Sequence, residues 1–344
     1  MTNSLEMDNP LTSKAKQNGE YINDASIDIS DSFANISHQL DQVKELIKSQ
    51  LSNSGQSVKK LLTTFDCCKG KMLRAGLVIL SGRTCGKITE SHIQVATILE
   101  MIHAATLLHD DVIDDGQMRR GLPTVNSVFG NESAVLLGDF LLSKVFQLCA
   151  GLPPKAIAML GTATGRLCQG QLCEIAERRN FNLSEAEYIK IITEKTAVLF
   201  GVCCQLGALL SNAKETQIEA LYDFGLNMGI AFQITDDLLD IAGDQVQAGK
   251  TLARDLNKEN LTLGIIHLLR QSDQGRRKLI EEKVSTGREK DLIEMLRSQG
   301  SFVYAHEKAK TFACKAVISI NDIEDSDARN SLVSISNFAA RKVF

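Results

Sequence analysis

His109–Gly121 reads HDDVIDDGQMRRG. It sets four carboxylates, one histidine and two arginines at the end of a long apolar run. On a helix, Asp110 and Asp114 lie one turn apart on one face, with Asp111 beside them. Carboxylates this close repel one another by roughly a few kcal/mol per pair at an effective dielectric of about 20. A cation that prefers oxygen ligands, Mg2+ or Mn2+, turns that repulsion into a binding site. Standing alone, the same stretch also reads as a solvated acidic helix end.

The pattern recurs. Asp236–Asp244, DDLLDIAGD, repeats the i, i+1, i+4 spacing with Asp236, Asp237 and Asp240, again after a long apolar run. No residue from Phe224 to Thr235 is charged, and from Ile93 to Leu108 only Glu100 is. Ile98, Leu99, Met101, Ile102, Leu107 and Leu108 in one run, and Phe224, Met228, Ile230, Phe232 and Ile234 in the other, occupy nearly the whole helix circumference. That distribution predicts central, buried helices. Two such helices with aspartates at matching ends predict a facing pair that holds metals across a cavity.

Working outward, the 344 residues, 44% hydrophobic, are enough for a sizeable core. A net charge of −4 gives no reason to expect nucleic acid as a partner. None of the nine cysteines has C-x-x-C spacing, so free, mostly buried thiols in a reducing cytoplasm are expected. The long apolar runs end in acidic clusters, so no membrane span is expected. The first arginine is Arg74, and acidic residues from Glu6 to Asp28 argue against a transit peptide.

Residues 1–28 are polar and read as a disordered tail. From residue 29 to residue 344 the pattern is one all-α domain of about a dozen helices. Phe33, Ile36, Leu40, Val43, Ile47 and Leu51 recur at helical spacing, and the four prolines are confined to positions 10, 123, 153 and 154. Ser184 and Glu187 have capping-box spacing before a helix predicted over Glu185–Leu210. Lys71 and Arg74, three apart near a helix start, suit an anion such as a phosphate.

Taken together, these stretches resemble the trans-polyprenyl diphosphate synthases, the head-to-tail isoprenyl transferases. The resemblance rests on GKMLR (70–74), LLHDDVIDD (107–115), MRRG (118–121), EKT (194–196), FQITDDLLD (232–240) and GKTLARDL (249–256), in the family's order and spacing. It implies an isoprenoid-synthase-type helical bundle around a central cavity. It implies Mg2+ or Mn2+ as cofactor, with Asp110, Asp114 and Asp236 as ligands and Asp111, Asp237 and Asp240 in support. Arg119, Lys195, Thr196, Gln233 and Lys250 would hold an allylic diphosphate, farnesyl or geranyl. Lys71, Arg74, His103 and Arg120 would hold isopentenyl diphosphate. Family members are usually homodimers, and a long polyprenyl product would favour peripheral contact with membranes.

A helical turn of about 5.4 Å is near the length of one isoprene unit, so side chains below Asp110 set product length. They are Thr106 and Ala105, then Ile102 and Met101, then Ile98, and no Phe or Tyr closes the shaft there. Phe140 and Phe146 are further candidates for its floor. An open shaft predicts about six to ten isoprene units, one per turn. The chain departs from the family pattern at Lys69, Met72, Ala75, Gln171, Glu174 and Asn260.

Several rivals stay in view. A short-chain synthase would stop at farnesyl or geranylgeranyl diphosphate. A non-catalytic subunit of a heteromeric synthase tends to lose acidic motifs, and both are present. A terpene cyclase needs no second diphosphate site. A helical HD-type phosphohydrolase would need His92 or His103 as metal ligands and leaves DDLLD unexplained.

Overall fold

The computed structural model describes residues 29–119, 121–242, 260–286 and 288–341. The expected tail over residues 1–28 lies outside them. Ile29–Ser32 (α1) and a 3-10 turn, Ala34–Ile36, lead into Ser37–Ser52 (α2) and Gln56–Leu62 (α3). Next come Leu73–Cys85 (α4) and Glu90–Ile113 (α5), then a two-stranded antiparallel ribbon of Met118–Arg119 (β1) and Leu122–Pro123 (β2). Val125–Phe129 (α6), Asn131–Cys149 (α7), Pro154–Ala176 (α8) and Glu185–Ile192 (α9) follow. A π-helical turn, Thr193–Ala197, joins α9 to Val198–Leu210 (α10) and is followed by Glu215–Ala242 (α11). Leu263–Arg270 (α12), Gln274–Ser285 (α13), Glu289–Ser298 (α14), Ser301–Ser319 (α15) and Asp327–Ala339 (α16) complete the described chain.

The architecture is all-α, as the patterning predicts. α5 and α11 are the central helices because apolar side chains surround them. Ile98, Leu99, Met101 and Ile102 are buried on α5, as are Phe224, Met228 and Ile234 on α11. α5 packs on α4 and α7; α11 packs on α10 and α15. The first half of α11 joins a core with α4, α5 and α7, and its second half joins another with α9, α12 and α15.

Local signals fix the helix starts. At α9 the Glu187 N–H donates to Ser184 Oγ at 3.2 Å, and the Ser184 N–H donates back to Glu187 Oε2 at 2.8 Å. At α5, Thr89 and His92 form the box. The Thr89 N–H donates to His92 Nδ1 at 3.1 Å, leaving Nε2–H to donate to the Gly207 carbonyl at 3.1 Å. His92 is therefore a buried bolt between α5 and α10. It does not line the cavity, which removes one histidine that a phosphohydrolase would need.

One helical run is as apolar as a membrane span. Glu185–Leu210 is one helical run long and apolar enough to cross a membrane by length and composition. Yet 67% of its most apolar window is buried inside the fold, so core packing accounts for its hydropathy.

Candidate active site

A cavity of about 800 Å3 opens between the two halves of the bundle. Its walls carry Asp110, Asp111 and Asp114 from α5 and the turn after it, and Asp236, Asp237 and Asp240 from α11. The two acidic motifs thus share one cavity. Each sits toward the C-terminal end of its helix, where the helix dipole disfavours anions, so cations are needed there.

The structure supplies some of those cations itself. Arg119 on β1 grips Asp111 bidentately, with Nε at 2.9 and 3.0 Å from the two carboxylate oxygens and Nη2 at 2.8 Å from Oδ1. The ribbon turns Arg119 back onto α5, and Asn126 Nδ2 donates to the Asp111 carbonyl at 3.1 Å. Arg178, just past α8, stands 3.8 Å from Asp114 Oδ1. Burial pushes the Asp110 carboxyl up to about 6; Asp114 and Glu174 add to the rise, while Lys195 and Arg119 oppose it.

Opposite, Asp237 is held by neutral donors. Tyr188 Oη–H donates to Oδ2 at 2.5 Å and Gln233 Nε2 donates to Oδ1 at 2.7 Å. The Gln233 carbonyl oxygen accepts from Thr196 Oγ1 at 2.9 Å. Lys195 Nζ donates to Glu174 Oε2 at 2.5 Å, to which Gln171 Nε2 also donates at 3.1 Å. Lys195 and Thr196 both face the cavity from the π-helical turn.

A third group lies near the start of α4. Lys71, Arg74 and His103 all line the cavity. Lys71 Nζ lies 4.5 Å from the Phe338 ring centre, and the Arg74 guanidinium lies 4.7 Å from that of Phe200. The departure at Ala75 has a local use: its N–H, which a proline would lack, donates to buried Glu100 at 2.9 Å.

The cavity therefore gathers every described residue that the sequence reading assigned to metal or diphosphate. Arg120 and Lys250 lie outside the described residues. The product-length residues behave differently. Thr106 lines the cavity, but Ala105, Met101 and Ile102 are fully buried behind its lining. On a helix the residue beside Thr106 points about 100° away, here into the contact with neighbouring helices. The apolar wall is built from Ala104 and Leu107 on α5 together with Leu167, Leu172, Leu199 and Phe232 on other helices. Phe146 is exposed and Phe140 packs half-buried against the core; neither lines the cavity.

The donor set is all oxygen, the kind that Mg2+ and Mn2+ take. Among the described residues no group of three or more His, Cys, Asp or Glu stands close enough to hold an ion alone. Mg2+ usually binds through one or two carboxylates together with substrate phosphates. Sequence reading missed Tyr188 and Arg178, whose partners are distant in sequence and leave no local signal, and noted Glu174 only as a departure from the family pattern.

Residues 56–298 match the family described as polyprenyl synthetase. The octaprenyl diphosphate synthase of Haemophilus influenzae is 34% identical over 302 residues, covering 86% of this chain and 92% of its own. Heptaprenyl diphosphate synthase component 2 of Bacillus subtilis is 30% identical over 343 residues, 97% of each chain. A solved polyprenyl synthase from Caulobacter crescentus, complexed with calcium and isoprenyl diphosphate, matches with a TM-score of 0.88 at 28% identity. It covers 93% of this chain and 100% of its own.

Proposed function

Since the chain belongs to the polyprenyl synthetase family and is a prenyltransferase, we propose that it condenses isopentenyl diphosphate head to tail with an allylic diphosphate. The reaction is Mg2+-dependent in this reading, and the product is a long all-trans polyprenyl chain, a length class that the similarity to an octaprenyl diphosphate synthase supports. The observation that carries it is the meeting of both acidic motifs on one cavity with apolar walls.

Asp110, Asp114 and Asp236 are the residues that would hold Mg2+. When bound, it supplies the charge that stabilises a departing diphosphate. Lys195, Thr196 and Gln233 orient the allylic diphosphate over those carboxylates, while Arg119 keeps Asp111 neutralised. Lys71, Arg74 and His103 hold the isopentenyl diphosphate so that its double bond faces the allylic carbon. Leu167, Leu199 and Phe232 exclude water from the allylic cation. No protein nucleophile is required. Cys67, which lines the cavity, is unsuited to the part because burial pushes its thiol up to about 12.

Exposed apolar side chains on α7 support a homodimer: Leu136 and Phe146 are 66% and 77% exposed. The match to a component of a heptaprenyl synthase supports a second reading, in which that face takes a different subunit. Incubation of the chain alone with farnesyl diphosphate, isopentenyl diphosphate and Mg2+, then chromatographic sizing, tests the proposal. Long polyprenyl products are expected. Consumption of farnesyl diphosphate without isopentenyl diphosphate would point to a cyclase, and inactivity of the chain alone to the heteromer.

A further inference from the structure

The cavity residues Lys195 and Thr196 belong to an unusual piece of backbone. Thr193–Ala197 is a π-helical turn set inside an otherwise regular run, with i→i+5 hydrogen bonds. Such turns are rare and short, and they need support from outside the helix. Here the support comes from both sides. Gly170 on α8 packs against the turn so closely that a Cβ would sit 2.7 Å from Glu194 C and from Lys195 Cα. Gly229 on α11 meets it from the other side, where a Cβ would sit 2.7 Å from Ala197 Cα.

A polar clamp lies one turn along α8. Arg166 takes both oxygens of Glu194, Nε to Oε2 at 2.6 Å and Nη2 to Oε1 at 2.7 Å. Its third nitrogen, Nη1, donates to the Tyr222 hydroxyl on α11 at 3.0 Å. A planar guanidinium with its whole fork engaged fixes both the distance and the rotation of its partner. Glu194 directly precedes Lys195, so fixing it sets the direction in which Lys195 and Thr196 leave the turn. Neither Arg166 nor Tyr222 lines the cavity.

We propose that Arg166 and Tyr222, acting through Glu194, are positioning residues for the diphosphate that Lys195 and Thr196 hold. The inference rests on the allylic-diphosphate reading of Lys195 given above. Arg166 has a second effect: it neutralises a carboxylate placed one residue from a lysine meant for a polyanion. With the clamp intact, Lys195 reaches Glu174 and Thr196 reaches Gln233 on the opposite helices. With it broken, the turn relaxes toward a regular helix and both side chains rotate off the site.

The test is steady-state kinetics of Arg166→Met, Glu194→Gln, the double variant and Lys195→Ala, with thermal melting of each. Arg166→Met and Glu194→Gln should each raise KM for farnesyl diphosphate about tenfold, with KM for isopentenyl diphosphate changed by less than about twofold. The double variant should be no worse than the poorer single one, because the two residues act as a unit. Should Arg166→Met fail to fold, Arg166→Lys and Tyr222→Phe give the same selective shift at smaller size. An unchanged farnesyl diphosphate KM, or equal losses for both substrates, overturns the clamp when Lys195→Ala is impaired. If Lys195→Ala is itself unimpaired, the reading of Lys195 is what fails.

Discussion

Arg119 holds both carboxylate oxygens of Asp111, and of the two side chains that of Asp111 is 3% exposed. Asp111 is therefore neutralised from within the protein. Removing the arginine would leave a buried carboxylate without its partner. Arg119→Met should lower stability by about 3 kcal/mol, read as a shift in the urea midpoint. An unchanged midpoint would mean that the pair contributes nothing to the fold.

Asp110 and Asp236 line the cavity from opposite acidic motifs. Asp110→Asn and Asp236→Asn should each lower kcat by about a hundredfold or more while melting like the unaltered protein. The same loss should follow chelation of divalent ions. Full activity in either variant would exclude that carboxylate as a ligand.

Thr106 faces the cavity and Ala105 does not. Thr106→Phe should therefore shorten the product, visible as a lower mass of the longest chain. Ala105→Tyr fills a site with no free space and should cost about 1–3 kcal/mol of stability by overpacking. An unaltered product range from Thr106→Phe would move the length gauge to another wall.

His92 gives a pH dependence of stability. Burial lowers its pKa below the ordinary value, and both ring nitrogens are committed as the neutral tautomer. The unfolded chain takes up the proton first, near pH 6.5. The contribution is thus complete above about pH 6.5 and declines as pH falls below it toward the folded value. His92→Gln should flatten that slope in urea midpoints compared at about pH 7.5 and 5.5. Identical slopes would show that His92 titrates alike in both states.

Much of this was legible in the chain. Apolar residues on every side of Ile93–Leu108 and Phe224–Thr235 announce buried helices, and repeated aspartates at their ends announce the site. Ser184 and Glu187 mark a helix start correctly because a capping box is local. The rest depended on contacts far apart in sequence. Nothing in Glu185–Leu210 signals a π-helical turn, since its cause lies in Gly170, Gly229 and Arg166 on other helices. Tyr188 reads as an apolar-face residue until Asp237 is placed against its hydroxyl. Phe146 reads as a candidate for the cavity floor, yet it faces outward at 77% exposure, because α7 carries apolar residues on two faces.

The most direct measurement is calorimetric binding of inorganic diphosphate with and without Mg2+, to the unaltered protein and to Asp110→Asn and Asp236→Asn. If both motifs grip one diphosphate through shared ions, the unaltered protein binds only with Mg2+ and each substitution alone removes binding. Tight binding without Mg2+, or binding that survives loss of either aspartate, would contradict it.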